Sequence, residues 1–300
     1  MKIIDFIRGR TFYERKERSG ILFVSIAFIY FVTIYYYPLI QSFLFSFFTG
    51  PPSQNRKYVG LATYKKVLSD PLFLLSVKNT FYFVILAVPT TIVLALIIAT
   101  FLNYVLNKKL RDILSFMFFS PLMISFVAAA LIWEWIYHPI YGLLNNLFLF
   151  IGLPSQGWLS NVSQAMPSIA IMQIWLRLGF DIMIFLSALQ AIPGEYYEAA
   201  SIDGASGFSC FKHITLPLLN PQIVFVSIIE LIFGFQVFDL VYTATHGGPT
   251  NVTRVIILHL YETAFKWYRF GEASVIAVFF FLFLLSISIL QWKFRRTTTY

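Results

Sequence analysis

Between Ser19 and Asn55 the chain carries no charged side chain, and most of the residues there are apolar. About 20 such residues suffice for a helix to cross the hydrocarbon core of a bilayer. Backbone amides have no water to bond inside that core, so an isolated span must be helical. Runs of this kind recur along the chain. They predict an all-α membrane protein with six transmembrane helices, at about 20–44, 79–106, 113–137, 166–191, 218–242 and 271–292. Pro38 and Pro89 fall inside the first two, and Pro38 is expected to kink the outer end of its helix beside Tyr35, Tyr36 and Tyr37. Charged residues make up 12% of the 300, where soluble domains carry about 25%. Residues 1–19 and 293–300 are left as polar ends. The 51–78 loop is too short to fold alone, and a short interfacial helix at Leu143–Ile151 fits the uncharged loop of 138–164.

The formal net charge is +8, yet no basic stripe interleaved with aromatics suggests a nucleic-acid partner. The cations sit beside the apolar runs, where they act as orientation signals. With six spans both termini share one side. That side holds 13 Lys and Arg and the other 8, counting the groups outside the spans. The larger number lies on the shorter segments, so both termini and the loop at 191–216 are placed in the cytoplasm. The first apolar run is too long for a cleavable leader. Cys210 is the lone cysteine, so no disulfide framework or cysteine metal site is expected. The four His share no ligand spacing. No nucleotide-binding G-x-x-x-x-G-K-[ST] segment is present, so the chain is not expected to be an enzyme that hydrolyses ATP itself.

Two groups of polar residues stand out. Charges within spans are costly and by default mark a pathway or a pair. Arg177 lies near the middle of the fourth span with Asp181 at i+4, and Glu230 near the middle of the fifth. Arg177 can pair with Asp181 or Glu230 and hold the helices together. Alternatively, Gln173, Trp175, Arg177, Phe180, Glu230 and Gln236 can line a watery cavity whose donors, acceptors and aromatic faces suit a sugar or polyol. The other group is the loop 194–221. Glu195–Ile202 reads as a short helix with Glu195 and Glu198 in its first turn, small Ala199 and Ala200 on one face, and Gly204 placed to end it. On physics alone this could be a helix lying on the membrane surface.

The spacing Glu198-Ala199-Ala200, Gly204-Ala205, Phe211, Ile214, Leu216-Pro217 resembles the loop between the last spans of ABC-transporter importer permeases. Trp175–Pro193, Thr245-His246-Gly247-Gly248-Pro249, and Tyr261-Glu262 through Ala273-Ser274 are similar to the carbohydrate-uptake members, of the maltose and glycerol-phosphate type. The similar region covers about Asn79–Trp292. The resemblance implies a type I importer fold with a cytoplasmic coupling helix between spans 4 and 5, and a contact with the ATPase made by Glu198, Ala199, Ala200 and Gly204. It implies a heterodimer with a second permease and two cytoplasmic ATPase subunits that use ATP and Mg. It also implies an external solute-binding protein and a prokaryotic inner membrane. The solute path falls near Gln173, Arg177, Phe180, Glu230, Gly234 and Gln236. A sugar, oligosaccharide or polyol is the implied solute, a charged sugar included. A permease for amino acids or peptides is the alternative, and a stand-alone secondary transporter a further one. The latter calls for an internal repeat with paired broken helices, and no such symmetry is visible in the sequence.

Overall fold

A computed structural model describes residues 12–50 and 56–294. The basic residues expected in the first eleven positions, and Arg295 and Arg296, lie outside the described residues. The chain divides into two compact units, one formed by residues up to Val67 with Thr263–Phe280, the other by Leu68–Glu262 with Phe281 onward.

In the first unit, helix α1 (Phe12–Phe31) runs through a five-residue π turn at Val32–Tyr36 into α2 (Tyr37–Phe45). The apolar stretch Ser19–Phe45 is 27 residues long, and no residue of its most apolar window is buried. The π turn ends two residues before Pro38, whose ring removes one backbone donor from the ladder. Strands β1 (Phe48–Thr49) and β2 (Lys57–Tyr58) then pair antiparallel, and α3 (Ala62–Leu68) follows. The carbonyl of Phe48 lies so close to Gly271 that no side chain fits there.

The second unit is built on α4 (Pro71–Asn103), a 33-residue helix that begins earlier than the apolar run does. The Asp70 side chain accepts from the Leu72 amide at 2.9 Å and starts it. Helix α4 packs along α8 (Ala165–Gln190). Ala95 and Ala99, one turn apart, are fully buried against a cluster that includes Ile182, Phe185 and Leu189. Small residues at that spacing let two membrane helices approach closely, and the gain is dispersion contact.

The span expected at 113–137 is built differently. Helix α5 (Lys108–Phe119) passes through one 3₁₀ turn at Ser120–Met123 and stops, and α6 (Phe126–Ile136) leaves at 103° to it. Pro121 fixes the tight turn, and the Ser125 hydroxyl accepts from the Ala128 amide at 3.2 Å to start the new helix. Among the described residues five helices are long and apolar enough to cross a membrane, and six if this bent pair counts as one span. Helix α7 (Leu143–Phe150) occupies the uncharged loop. Beyond α8 come the short helices α9 (Glu195–Ile202) and α10 (Gly207–Cys210). The fifth span is also interrupted: α11 (Asn220–Phe235) ends, and α12 (Asp239–Ala244) restarts after three residues. Helices α13 (Ile256–Tyr261) and α14 (Phe270–Phe294) complete the chain.

Candidate functional site

The two interruptions meet. Phe126 opens α6, Gln236 closes α11, and Asp239 opens α12; all three line one cleft of about 180 Å³ with Gln173, Phe233 and Phe238. Helices α6 and α12 pack against each other, so each break is positioned by the other. The lining combines two amides, a carboxylate and three phenyl rings. Amides both donate to and accept from hydroxyls, a carboxylate accepts from them, and rings cover the C–H faces of a sugar. Gln173 is buried and comes to the wall from α8.

Arg177 lies one turn along α8 from Gln173 and does not line the cleft. Its Nε and Nη2 both donate to Glu230 Oε1, at 2.8 and 2.6 Å. The guanidinium carbon lies 4.0 Å from the centre of the Phe233 ring and 5.0 Å from that of Phe180. Both partners are almost wholly buried, at 5% and 1% exposure. A guanidinium held by a carboxylate and flanked by two aromatic rings is a neutralised brace between α8 and α11. Asp181, at i+4 from Arg177, does not take the pair; it is fully buried and its carboxylate oxygens have no hydrogen-bond partner among the described residues. Gly234 is also away from the cleft. A Cβ there would stand 2.9 Å from a Val88 methyl, so this glycine sets the crossing of α11 over α4.

The 194–221 loop is ordered by its own bonds. The Gly204 amide donates to the Ser201 carbonyl at 3.1 Å and the Ala205 amide to the Ala200 carbonyl at 2.9 Å. Gly204 has φ +73°. These are the paired bonds of a helix stop that needs a left-handed residue. The Tyr197 and Thr215 hydroxyls are 2.9 Å apart and stitch the helix to the following segment. Glu198 and Ala199 are exposed and Ala200 half-buried. Ile202 and Phe208 are bare, at 86% and 76% exposure, and nothing stands within 4 Å of a Cβ added at Gly204. Among the described residues no cluster of His, Cys, Asp and Glu could hold a metal.

Comparison with known proteins assigns the class of molecule these features belong to. Residues 76–297 match the family described as binding-protein-dependent transport system inner membrane component. The chain belongs to that family. It is 33% identical over 285 residues to the lactose transport system permease protein LacF of Rhizobium radiobacter, covering 93% of this chain and 94% of the relative. It is 36% identical over 245 residues to the trehalose/maltose transport system permease protein MalF of Thermococcus litoralis, covering 81% of each. In fold it matches a chain of a bacterial ABC transporter involved in the import of the acidic polysaccharide alginate. The TM-score is 0.83, identity 24%, and coverage 96% of this chain and 99% of that one. Paired broken helices are also what a stand-alone transporter uses; family membership decides against that alternative.

Gln173 and Gln236 therefore reach the cleft, whereas Arg177, Phe180, Glu230 and Gly234 stand behind it. Phe126, Phe233 and Phe238 escape sequence reasoning. The signal for Phe126 is Ser-Pro at 120–121 with Ser125 ahead of an apolar run, a helix stop followed by a cap.

Proposed function

We propose that this chain is one of two permease subunits of an ATP-driven importer that carries an uncharged saccharide or polyol across the inner membrane. Its relatives include permeases named for lactose, arabinooligosaccharide and trehalose/maltose transport. The observation that carries the reading is the cleft where two interrupted spans meet, walled by Gln173, Gln236, Asp239 and phenyl rings. With Arg177 held by Glu230, the cleft wall presents no cation to an acidic sugar, and Asp239 repels one. A neutral, hydroxyl-rich solute fits what remains. On this reading α9 is the coupling helix. It faces the cytoplasm and presents Glu198, Ala199, Ala200 and Gly204, with bare Ile202 and Phe208, to a separate ATPase. That partner binds ATP and Mg, and a solute-binding protein delivers the sugar from outside.

The test is ATP hydrolysis by the intact complex in lipid nanodiscs, with its binding protein and a panel of neutral saccharides, uronates, amino acids and peptides. Stimulation confined to neutral saccharides or polyols is expected. Stimulation by amino acids or peptides alone would overturn the solute reading, and the best response to uronates would overturn the charge argument.

A further inference from the structure

The structure assigns a second binding position to this chain, a recess that holds the far end of a saccharide chain whose leading ring occupies the cleft. The inference rests on the saccharide reading above. Helices α6 and α12 each begin at the cleft, with Phe126 and Asp239. Each also ends at a separate recess of about 410 Å³, where α6 brings Glu134, Tyr137 and His138, and α12 brings Ala244 and Thr245. Gly157, Leu159, Ser160, Gly248 and Pro249 close its walls. On α6 Glu134 lies eight residues beyond Phe126, and on α12 Ala244 lies five beyond Asp239, or about 12 and 8 Å along the helix axes at about 1.5 Å per residue. One pair of packed helices thus connects two cavities too far apart for a single ring.

The recess has the right chemistry for hydroxyls. Glu134 is exposed and offers acceptor oxygens. The Ile140 and Tyr141 amides donate to His138 Nδ1 at 3.2 and 3.4 Å. In the neutral ring the proton is therefore on Nε2, which is a donor. Tyr141 stacks on the imidazole at 3.4 Å between ring centres, which fixes its plane. Ser160 adds a hydroxyl.

The segments that carry the walls are also fixed in advance, by residues beside the lining. Trp158 has φ +42° and His246 φ +51°. Such conformations are costly for residues other than glycine, and they persist where surrounding bonds impose them. Those bonds are present on the Trp158 side. The Trp158 amide donates to Gln164 Oε1 and its indole N–H to Asn145 Oδ1, both at 2.9 Å. Asn145 is buried, and its Nδ2 donates to the Pro139 and Gln156 carbonyls at 3.0 and 2.9 Å. Tyr137 stacks on Trp158 with ring centres 5.0 Å apart. An uncharged surface loop held this firmly loses little entropy when a ligand docks.

The experiment measures ATP hydrolysis by the full complex against binding protein loaded with linear glucose or arabinose oligomers of two or five rings. It compares the wild type with Glu134→Ala and Ser160→Ala; Glu134 has no ion-pair partner among the described residues. For the five-ring probes, the half-stimulating concentration should rise about five- to tenfold in the variants, the effect of one or two lost hydrogen bonds. The two-ring response should stay unchanged. An equal change for both lengths would make the recess a docking or structural surface and overturn the inference while leaving the saccharide reading intact. No change for either length would also overturn it. A wild-type complex that answers amino acids or peptides and no saccharide would remove both readings together.

Discussion

The middle of α8 and the loop helix α9 treat their side chains in opposite ways. In α8 a full charge is placed where charge is most costly, and Arg177 gives Nε and Nη2 to Glu230 while Phe180 and Phe233 flank its guanidinium. In α9 and the turn after it, apolar Ile202 and Phe208 are left bare in a segment rich in polar residues. Around Arg177 the contacts are closed within the chain, and in the second region they are left open. Charge in a membrane span is therefore not by itself evidence of a solute contact: Arg177 is bound up, and uncharged Gln173 and Gln236 reach the cleft. Exposed apolar area in a polar loop is the better sign of a partner.

The contrast breaks most visibly if the brace is removed. Glu230→Leu leaves the Arg177 guanidinium buried without its carboxylate, and stability should fall by about 3–5 kcal/mol. The check is thermal unfolding in detergent, where folded yield should drop sharply. Arg177→Met with Glu230→Leu together should recover much of that loss, because a neutral pair replaces a stranded charge. Little loss in the single variant would mean the pair does not brace the helices.

A second, smaller effect belongs to the closed region. Gly179 faces the Phe118 carbonyl so closely that an added Cβ collides with backbone. Gly179→Ala should therefore cost about 1–3 kcal/mol through displaced packing between α8 and α5. The measure is again unfolding temperature.

The open region should respond in the reverse sense. Gly204→Val places a branched residue at φ +73°, which costs about 1–2 kcal/mol locally. Uptake by the assembled complex should fall far more than the amount of folded protein. Normal uptake by this variant would remove the coupling role of the loop. The smallest effect on folding is expected for Ile202→Ser with Phe208→Ser. Stability should move by no more than about 0.5 kcal/mol, as for exposed sites elsewhere. Co-purification of the ATPase should decline, and unchanged recovery would show that these side chains serve some other surface.

The sequence made the two regions legible to different depths. Apolar runs announce spans because lipid imposes a length, and Gly204 announces a helix stop because few residues tolerate a left-handed backbone. The loop at 195–204 was therefore readable almost residue by residue. The cleft was not, since it arises where two spans break. Ser120–Ser125 and Gln236–Phe238 sit inside runs apolar enough to pass for continuous helices. Nothing local says that Phe126 and Asp239 share a wall. Nor could spacing choose between Asp181 and Glu230 as the partner of Arg177. The i+4 neighbour is near by construction, but Glu230 is brought there by the crossing of α11 against α8, a tertiary fact. Gly234 was open to two readings for a related reason: a glycine in a span suits a solute path and a tight crossing equally, and Val84 and Val88 pack where its side chain would stand.

The central claim is that a separate ATPase docks on the open helix of this permease. The most direct measurement replaces Ala199 with a photo-crosslinking amino acid in native membranes, irradiates, and identifies the adduct. The account predicts a single protein partner that carries the nucleotide-binding G-x-x-x-x-G-K-[ST] segment this chain lacks. Crosslinking only to lipid, or only to another copy of this chain, would contradict it and place the 195–202 helix on the membrane surface.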